Sequence, residues 1–245
     1  MTNKLNRRQF NRVCSSMIAG AFSAAALMPS TSAARIAYSS TKLLDSDKTP
    51  LKPDSLRTGE PYLFFYPYVT TPCFLIDLGS AATASPLNDS AGNTYDWRGG
   101  VGPNGSIVAY SAICSHKMSH PAKEISFINY RHDKISFSNH QGKTEERGGL
   151  ISCCSERSVY DPREGAKVLA GPAPQPLAAI ELQIDEGTGE LFATASYGGD
   201  MYEKFFDKFG FRAAIEHRID DPRQLSGKTA SVHKVAEYSR QTIKC

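Results

Sequence analysis

Two short cysteine segments constrain this chain more than any other feature of its sequence. One reads Ala112-Ile113-Cys114-Ser115-His116 and follows the strand-like run Ile107-Val108-Ala109-Tyr110. The other reads Cys153-Cys154-Ser155-Glu156-Arg157-Ser158-Val159-Tyr160-Asp161 and follows Leu150-Ile151-Ser152. A Cys-x-His spacing alone is a weak signal. Joined to a second cysteine loop and then to the turn Gly171-Pro172-Ala173-Pro174, it becomes fairly specific.

That joint pattern resembles the Rieske iron–sulfur family, and the stretch from Gly99 to His116 is similar to the lead-in of periplasmic Rieske subunits of the arsenite-oxidase and cytochrome bc type. The resemblance implies a [2Fe–2S] cluster whose one iron takes two thiolates and whose other takes two imidazoles, supplied by two short loops. Cys114 and His116 fall on the first-loop ligand positions, and Cys153 on the second-loop cysteine. Ser158 and Tyr160 fall where the family places hydroxyls that hydrogen-bond the cluster and a neighbouring thiolate, tuning the potential. Gly171-Pro172-Ala173-Pro174-Gln175-Pro176-Leu177 matches the proline loop that covers the cluster. The fold implied is mainly β, a small antiparallel β-sandwich or barrel with a cluster-binding tip.

The departures carry as much information. The second loop of the family reads Cys-x-x-His, and Glu156 occupies the histidine position. A carboxylate can bind iron, but it brings a negative charge where imidazole brings none; Arg157, which replaces a glycine of the family, is one group that would offset it. Cys154 is the other candidate fourth ligand, and His120 or His140 would have to reach in from elsewhere. The extra cysteines that many members join as a disulfide between the loops correspond here to Ser119 and Ser155. Three readings of the site stay open: a cluster with a non-standard fourth ligand, a Rieske fold that has lost its cluster, or a mononuclear zinc or iron held by two Cys, one His and a further group.

The order of elements fits a β-rich domain over residues 62–196. Tyr62-Leu63-Phe64-Phe65-Tyr66 and Cys73-Phe74-Leu75-Ile76-Asp77-Leu78 are strand-like. Ile125–Ile128 and Lys134–Ser138 look like one hairpin, with the surplus length before Cys153 placed around Tyr130 and His132 and Glu145-Glu146-Arg147 read as a solvated turn. Ala178–Ile184 and Glu190–Ala195, joined through Gly187-Thr188-Gly189, read as a closing hairpin. Residues 35–61 are polar and read as a linker. Residues 197–245 read as a helical extension: Tyr202, Phe205, Phe206 and Phe209 recur at helical spacing before a Gly210 cap, and a second helix is expected over 231–242. Packing on the chain's own β-domain is the preferred reading of that stripe. Trp97 is read as core, and His132, His140, His217 and His233 as surface residues.

Residues 1–34 resemble a twin-arginine export signal: Arg7-Arg8-Gln9-Phe10, a weakly apolar stretch from Val13 to Met28, and small residues after it. The expectation is a periplasmic protein, exported with its cofactor already inserted, and either released by cleavage or anchored to the inner membrane. In such a compartment Cys73 and Cys245 are free to pair. A net charge of +3 over 245 residues gives no case for nucleic acid. No phosphate loop, nucleophile elbow or His-Glu-x-x-His motif occurs, and too few residues follow Tyr197 for the second iron domain of a ring-hydroxylating oxygenase. The function expected is single-electron transfer to a redox partner, a cytochrome or a larger oxidoreductase subunit. The alternative is a cluster-free accessory module. Any enzyme activity would belong to a complex.

Overall fold

The computed structural model describes residues 35–245. Its main element is an eight-stranded sheet in the order Thr229–Ser231, Arg35–Leu44, Leu191–Tyr197, Ala179–Ile184, Ile107–Ser111, Pro72–Asp77, Pro61–Phe65 and His233–Lys234. The first and last of these strands are separated only by Val232. One segment therefore pairs in parallel with Lys42–Leu44 on one edge and antiparallel with Tyr62 and Leu63 on the other. That crossing nearly closes the sheet, with Val232 buried and its amide on the Leu44 carbonyl at 2.7 Å. Closure removes most of the unpaired edge that an open sheet would expose.

Both faces of this sheet are covered, which explains the unbroken apolar runs. Cys73 and Leu75 point inward with Leu43, Phe64, Ala109, Ile180 and Leu191. Their neighbours Phe74 and Ile76 point outward with Leu63, Val108 and Tyr110. Against that outer face lies a four-stranded sheet, Lys167–Ala170, Ser158–Asp161, Leu150–Cys153 and Ile128–Arg131. Its Ile128, Ile151 and Tyr160 complete the shared core, as does Trp97. The fold is mainly β, as the sequence implies. The hairpin of Ala179–Ile184 with Leu191–Tyr197 forms as expected.

Several expected elements differ. Residues 35–44 form a strand of the main sheet where a linker is expected, and Leu43, Leu51 and Leu56 are buried. Ile128–Arg131 pairs with Leu150–Cys153, and Ile135–Ser138 pairs instead with Thr144–Arg147. The surplus length is thus held by a hairpin turning at 139–143, and Glu145-Glu146-Arg147 is strand rather than turn. The C-terminal helix, Met201–His217, runs through Gly210 and ends on Arg218 in the left-handed conformation. Its Tyr202, Phe205 and Phe206 bury against Ile113, Met118 and Ala178 of the β-domain. The second expected helix shrinks to Val235–Tyr238, flanked by short strands. No helix among the described residues is long and apolar enough to cross a membrane.

Candidate metal centre

The first loop leaves the strand Ile107–Ser111 and closes on itself. The Cys114 amide donates to the Ser119 carbonyl, and the Met118 amide to the Cys114 carbonyl, both at 2.9 Å. This tight turn puts Met118 at φ 60 and turns the amides of His116 and Lys117 onto the Cys114 sulfur. The second loop spans the end of Leu150–Cys153 and the start of Ser158–Asp161. Cys153 is held between Ile128 and Ser158 in register. The turn between them requires Arg157 at φ 60, a conformation that costs a side-chain-bearing residue about 1 kcal/mol. A glycine would adopt it freely.

The two loops bring the buried thiols of Cys114 and Cys153 together. The hydrogen bond from Cys153 favours the thiolate of Cys114, aided by Tyr160 and the loop amides. The same bond, with burial, pushes Cys153 up. Two thiols this close share a proton rather than titrate separately. The Tyr160 hydroxyl lies 3.3 Å from both Cys114 Sγ and Ser115 Oγ, and burial pushes its pKa well up, so it stays protonated as a donor. Ser158, paired in register with Cys153, keeps its Oγ buried with no partner, an uncommon condition for a hydroxyl.

His116 and Glu156 face each other across the loops. His116 Nδ1 lies 3.3 Å from Glu156 Oε2, and Lys117 Nζ lies 3.1 Å from Glu156 Oε1. His116 Nδ1 is buried without a geometrically sound hydrogen bond. The cation beside Glu156 is therefore Lys117, not Arg157. Among the described residues, no group of three or more His, Cys, Asp or Glu side chains converges as a metal-binding set. The chemistry of the donors nonetheless fits an iron–sulfur centre. Two thiols, an unpartnered imidazole nitrogen and an unpartnered hydroxyl sit at one tip, with amides already aimed at sulfur.

The proline loop covers this tip. Ser115 Oγ donates to the Gln175 carbonyl at 2.7 Å. The Gln175 side chain accepts from the Ser90 amide at 2.6 Å and donates to the Gly198 carbonyl at 3.1 Å. Gly171, at φ +83, allows the closest approach, because a Cβ there would fall 2.5 Å from the Arg157 carbonyl oxygen. Ser119 Oγ and Ser155 Oγ lie 2.7 Å apart. A hydrogen bond thus joins the two loops directly.

Other sequence expectations are corrected. Cys154 is bonded to Cys245, which removes it as a fourth ligand and excludes a Cys73–Cys245 bridge. Cys73 is a buried free thiol, donating to the Tyr66 carbonyl at 3.0 Å. His120 does not turn toward the thiols. Its ring lies edge-on to Phe205 and Phe209, with Nδ1 on the Met118 carbonyl at 2.9 Å. His140 is exposed in the 139–143 turn, and His132 and His233 are exposed as expected. His217 is half-buried against Phe65. The roles of Gln175 and Cys245 had no local sequence signal.

No protein-family model matches the chain. Among solved structures, the chain is similar to the soluble domain of Rieske protein II (soxF) from Sulfolobus acidocaldarius. The identity is 28%, over 66% of this chain and 81% of that one, with a TM-score of 0.45.

Proposed function

We propose that this chain is an exported Rieske-type [2Fe–2S] protein that passes single electrons within a periplasmic or membrane-associated redox complex. The observation that carries the proposal is the meeting of Cys114 and Cys153 on two loops, with Tyr160 on one sulfur and an unpartnered hydroxyl on Ser158, the residue paired with Cys153. Cys114 and Cys153 would hold one iron, and His116 with Glu156 the other. When bound, the centre supplies a one-electron acceptor whose potential rises as its net negative charge falls.

The chain's own residues set the conditions for that chemistry. The Tyr160 hydroxyl and the amides of His116 and Lys117 donate toward the Cys114 sulfur, which favours added negative charge. Glu156 works in the opposite direction, and Lys117 at 3.1 Å offsets it. The Gln175 clasp keeps water from the inner side of the tip, while His116 stays about a quarter exposed on the outer side. An electron crossing to a partner protein would pass through that exposed edge. The export reading rests on Arg7-Arg8 and the weakly apolar stretch after them, which lie outside the described residues.

The second reading is a cluster-free accessory module. It draws support from the His116–Glu156–Lys117 contacts, which occupy the side chains that would bind the second iron. The test is EPR of the dithionite-reduced protein from a twin-arginine-competent host, with iron and acid-labile sulfide measured alongside. The expected result is a reduced [2Fe–2S] signal that changes in Glu156→His. No signal and no iron, even after reconstitution, would leave the module reading.

A further inference from the structure

Residues 239–245 are stitched along the segment that follows the first cysteine loop and leads into the strand Ile128–Arg131, the partner of Leu150–Cys153. Ser239 Oγ donates to the Ala122 carbonyl at 2.7 Å, and the amides of Arg240 and Gln241 donate to the carbonyls of Lys123 and Glu124. Gln241 and Thr242 then pair in parallel with Ile125 and Ser126. The Ile243 amide donates to Ser126, and Asn129 Nδ2 donates back to the Ile243 carbonyl at 3.1 Å. The run ends in the Cys154–Cys245 disulfide, which spans 91 positions of sequence. Cys154 sits between the site thiol Cys153 and Ser155, whose hydroxyl is the hydrogen-bonded link to the first loop.

Among the described residues this disulfide is the one covalent tie on either loop. It is also accessible. Cys245 is exposed and Cys154 is partly so. Cys245 lines a cavity of about 490 Å³ together with Ser152, Arg157, Val159 and Gly171, on the flank of the second loop. The buried Cys73, by contrast, is out of reach of a solution reagent.

We propose that Cys154–Cys245 is a dithiol-reducible staple that holds the second cysteine loop in its closed form. A thiolate of the dithiol attacks the exposed Cys245 sulfur, the S–S bond breaks, and Cys154 leaves as a thiolate that takes up a proton. The second thiol of the reagent then displaces Cys245. Two electrons and two protons pass to the protein, and the reagent leaves as its own disulfide. Once freed, residues 239–245 retain the backbone bonds of a two-residue strand and its neighbours and the side-chain bonds of Ser239 and Asn129, too few to keep so short a segment docked without its covalent anchor. Opening this segment removes the support behind Cys154 and loosens the loop that carries Cys153 and Glu156. The consequence for an iron centre rests on the function proposed above; the loosening does not.

The test uses the full-length protein, treated with dithiothreitol without denaturant, and a Cys245→Ser variant left untreated. Alkylation with mass spectrometry reports the thiols, and amide exchange reports residues 122–129, 150–158 and 239–245. The expected result is labelling of Cys154 and Cys245 with Cys73 protected, and exchange at least about tenfold faster in 239–245 and 150–158. Residues 111–121 should be unchanged, and Cys245→Ser should reproduce the exchange pattern without reagent. Iron, where present, should then be lost faster from both samples. Labelling that requires denaturant, or labelling with unchanged exchange in 150–158, overturns the proposal. Absence of iron and sulfide from untreated protein counts against the cluster alone and leaves the exchange result to decide the staple.

Discussion

The two cysteine loops meet at one centre but are held by different physics. The first is held by packing. Ile113 and Met118 bury with Tyr202, Phe205 and Phe206 of the C-terminal helix, His120 lies between Phe205 and Phe209, and Lys208 Nζ donates to the Lys117 carbonyl at 2.9 Å. The second is held by register and by a covalent bond, with Cys153 locked between two strands and Cys154 tied to the chain's end. Between them lie the Ser119–Ser155 hydrogen bond and the Glu156 contacts. The C-terminal extension thus braces both loops, one through an apolar helix face and the other through a disulfide. Two loops anchored outward need less from the bond between them, which here is a single hydrogen bond between hydroxyls.

Removing the packing should do the greater damage. Phe205 is fully buried between helix and loop, and Phe205→Ala is expected to cost about 3–5 kcal/mol, through lost transfer energy and the cavity left behind. Denaturant unfolding would measure that loss. Amide exchange should localise the loosening to residues 111–121 and the helix, with 150–158 still protected. Equal loosening of both loops would show that the two anchors are not independent.

Joining the loops directly should raise stability by somewhat less. The Ser119 and Ser155 hydroxyls are 2.7 Å apart and 36 positions separated in sequence. Replacing both residues with cysteine (Ser119→Cys with Ser155→Cys) is expected to form a bridge worth about 2–4 kcal/mol. Thiol counting and the midpoint of thermal unfolding check it. With the bridge present, dithiothreitol-sensitive loosening of the second loop should begin only once both disulfides are reduced.

Much of this arrangement was legible in the sequence, and what was not has a physical cause. The cysteine loops, the proline turn, the closing hairpin and the aromatic stripe are local patterns, and each appears where expected. The strand Arg35–Leu44 was hidden because, of its ten residues, only Thr41 and Leu43 reach the interior, which leaves a polar surface texture. The alternation of Ile135 and Phe137 with exposed serines marks a strand but does not name its partner. Gly210 resembles a cap, yet the helix runs on past it, the aromatic stripe is continued by Ala213, and Pro222 lies beside the glycine. Cys154 and Cys245 find each other across 91 positions, and only the fold brings them together. Cys73, set in a continuous apolar run, carried a sequence signal for a buried thiol.

The smallest expected effect separates the anchors by pH. Met118's carbonyl oxygen can only accept, so His120 Nδ1 carries the proton of a neutral ring. Burial against Phe205 and Phe209 lowers the His120 pKa below its usual 6.5, opposed by the hydrogen bond to the Met118 carbonyl and by Glu216, and reinforced by Arg212. A histidine whose folded pKa is depressed contributes stability that is present above its unfolded pKa and is lost as pH falls through that value toward the folded one. The first loop should therefore loosen below about pH 6.5, while the second loop does not respond. His217, on the same helix, is also lowered by burial and titrates in the same direction, so bulk stability alone does not separate the two. Exchange in residues 111–121 does. His120→Asn keeps a donor near Nδ1 but has no charge to gain, and should abolish the acid loosening of that segment. The same loss of pH response in His217→Asn, with His120 intact, would move the sensitivity from the loop to the helix end.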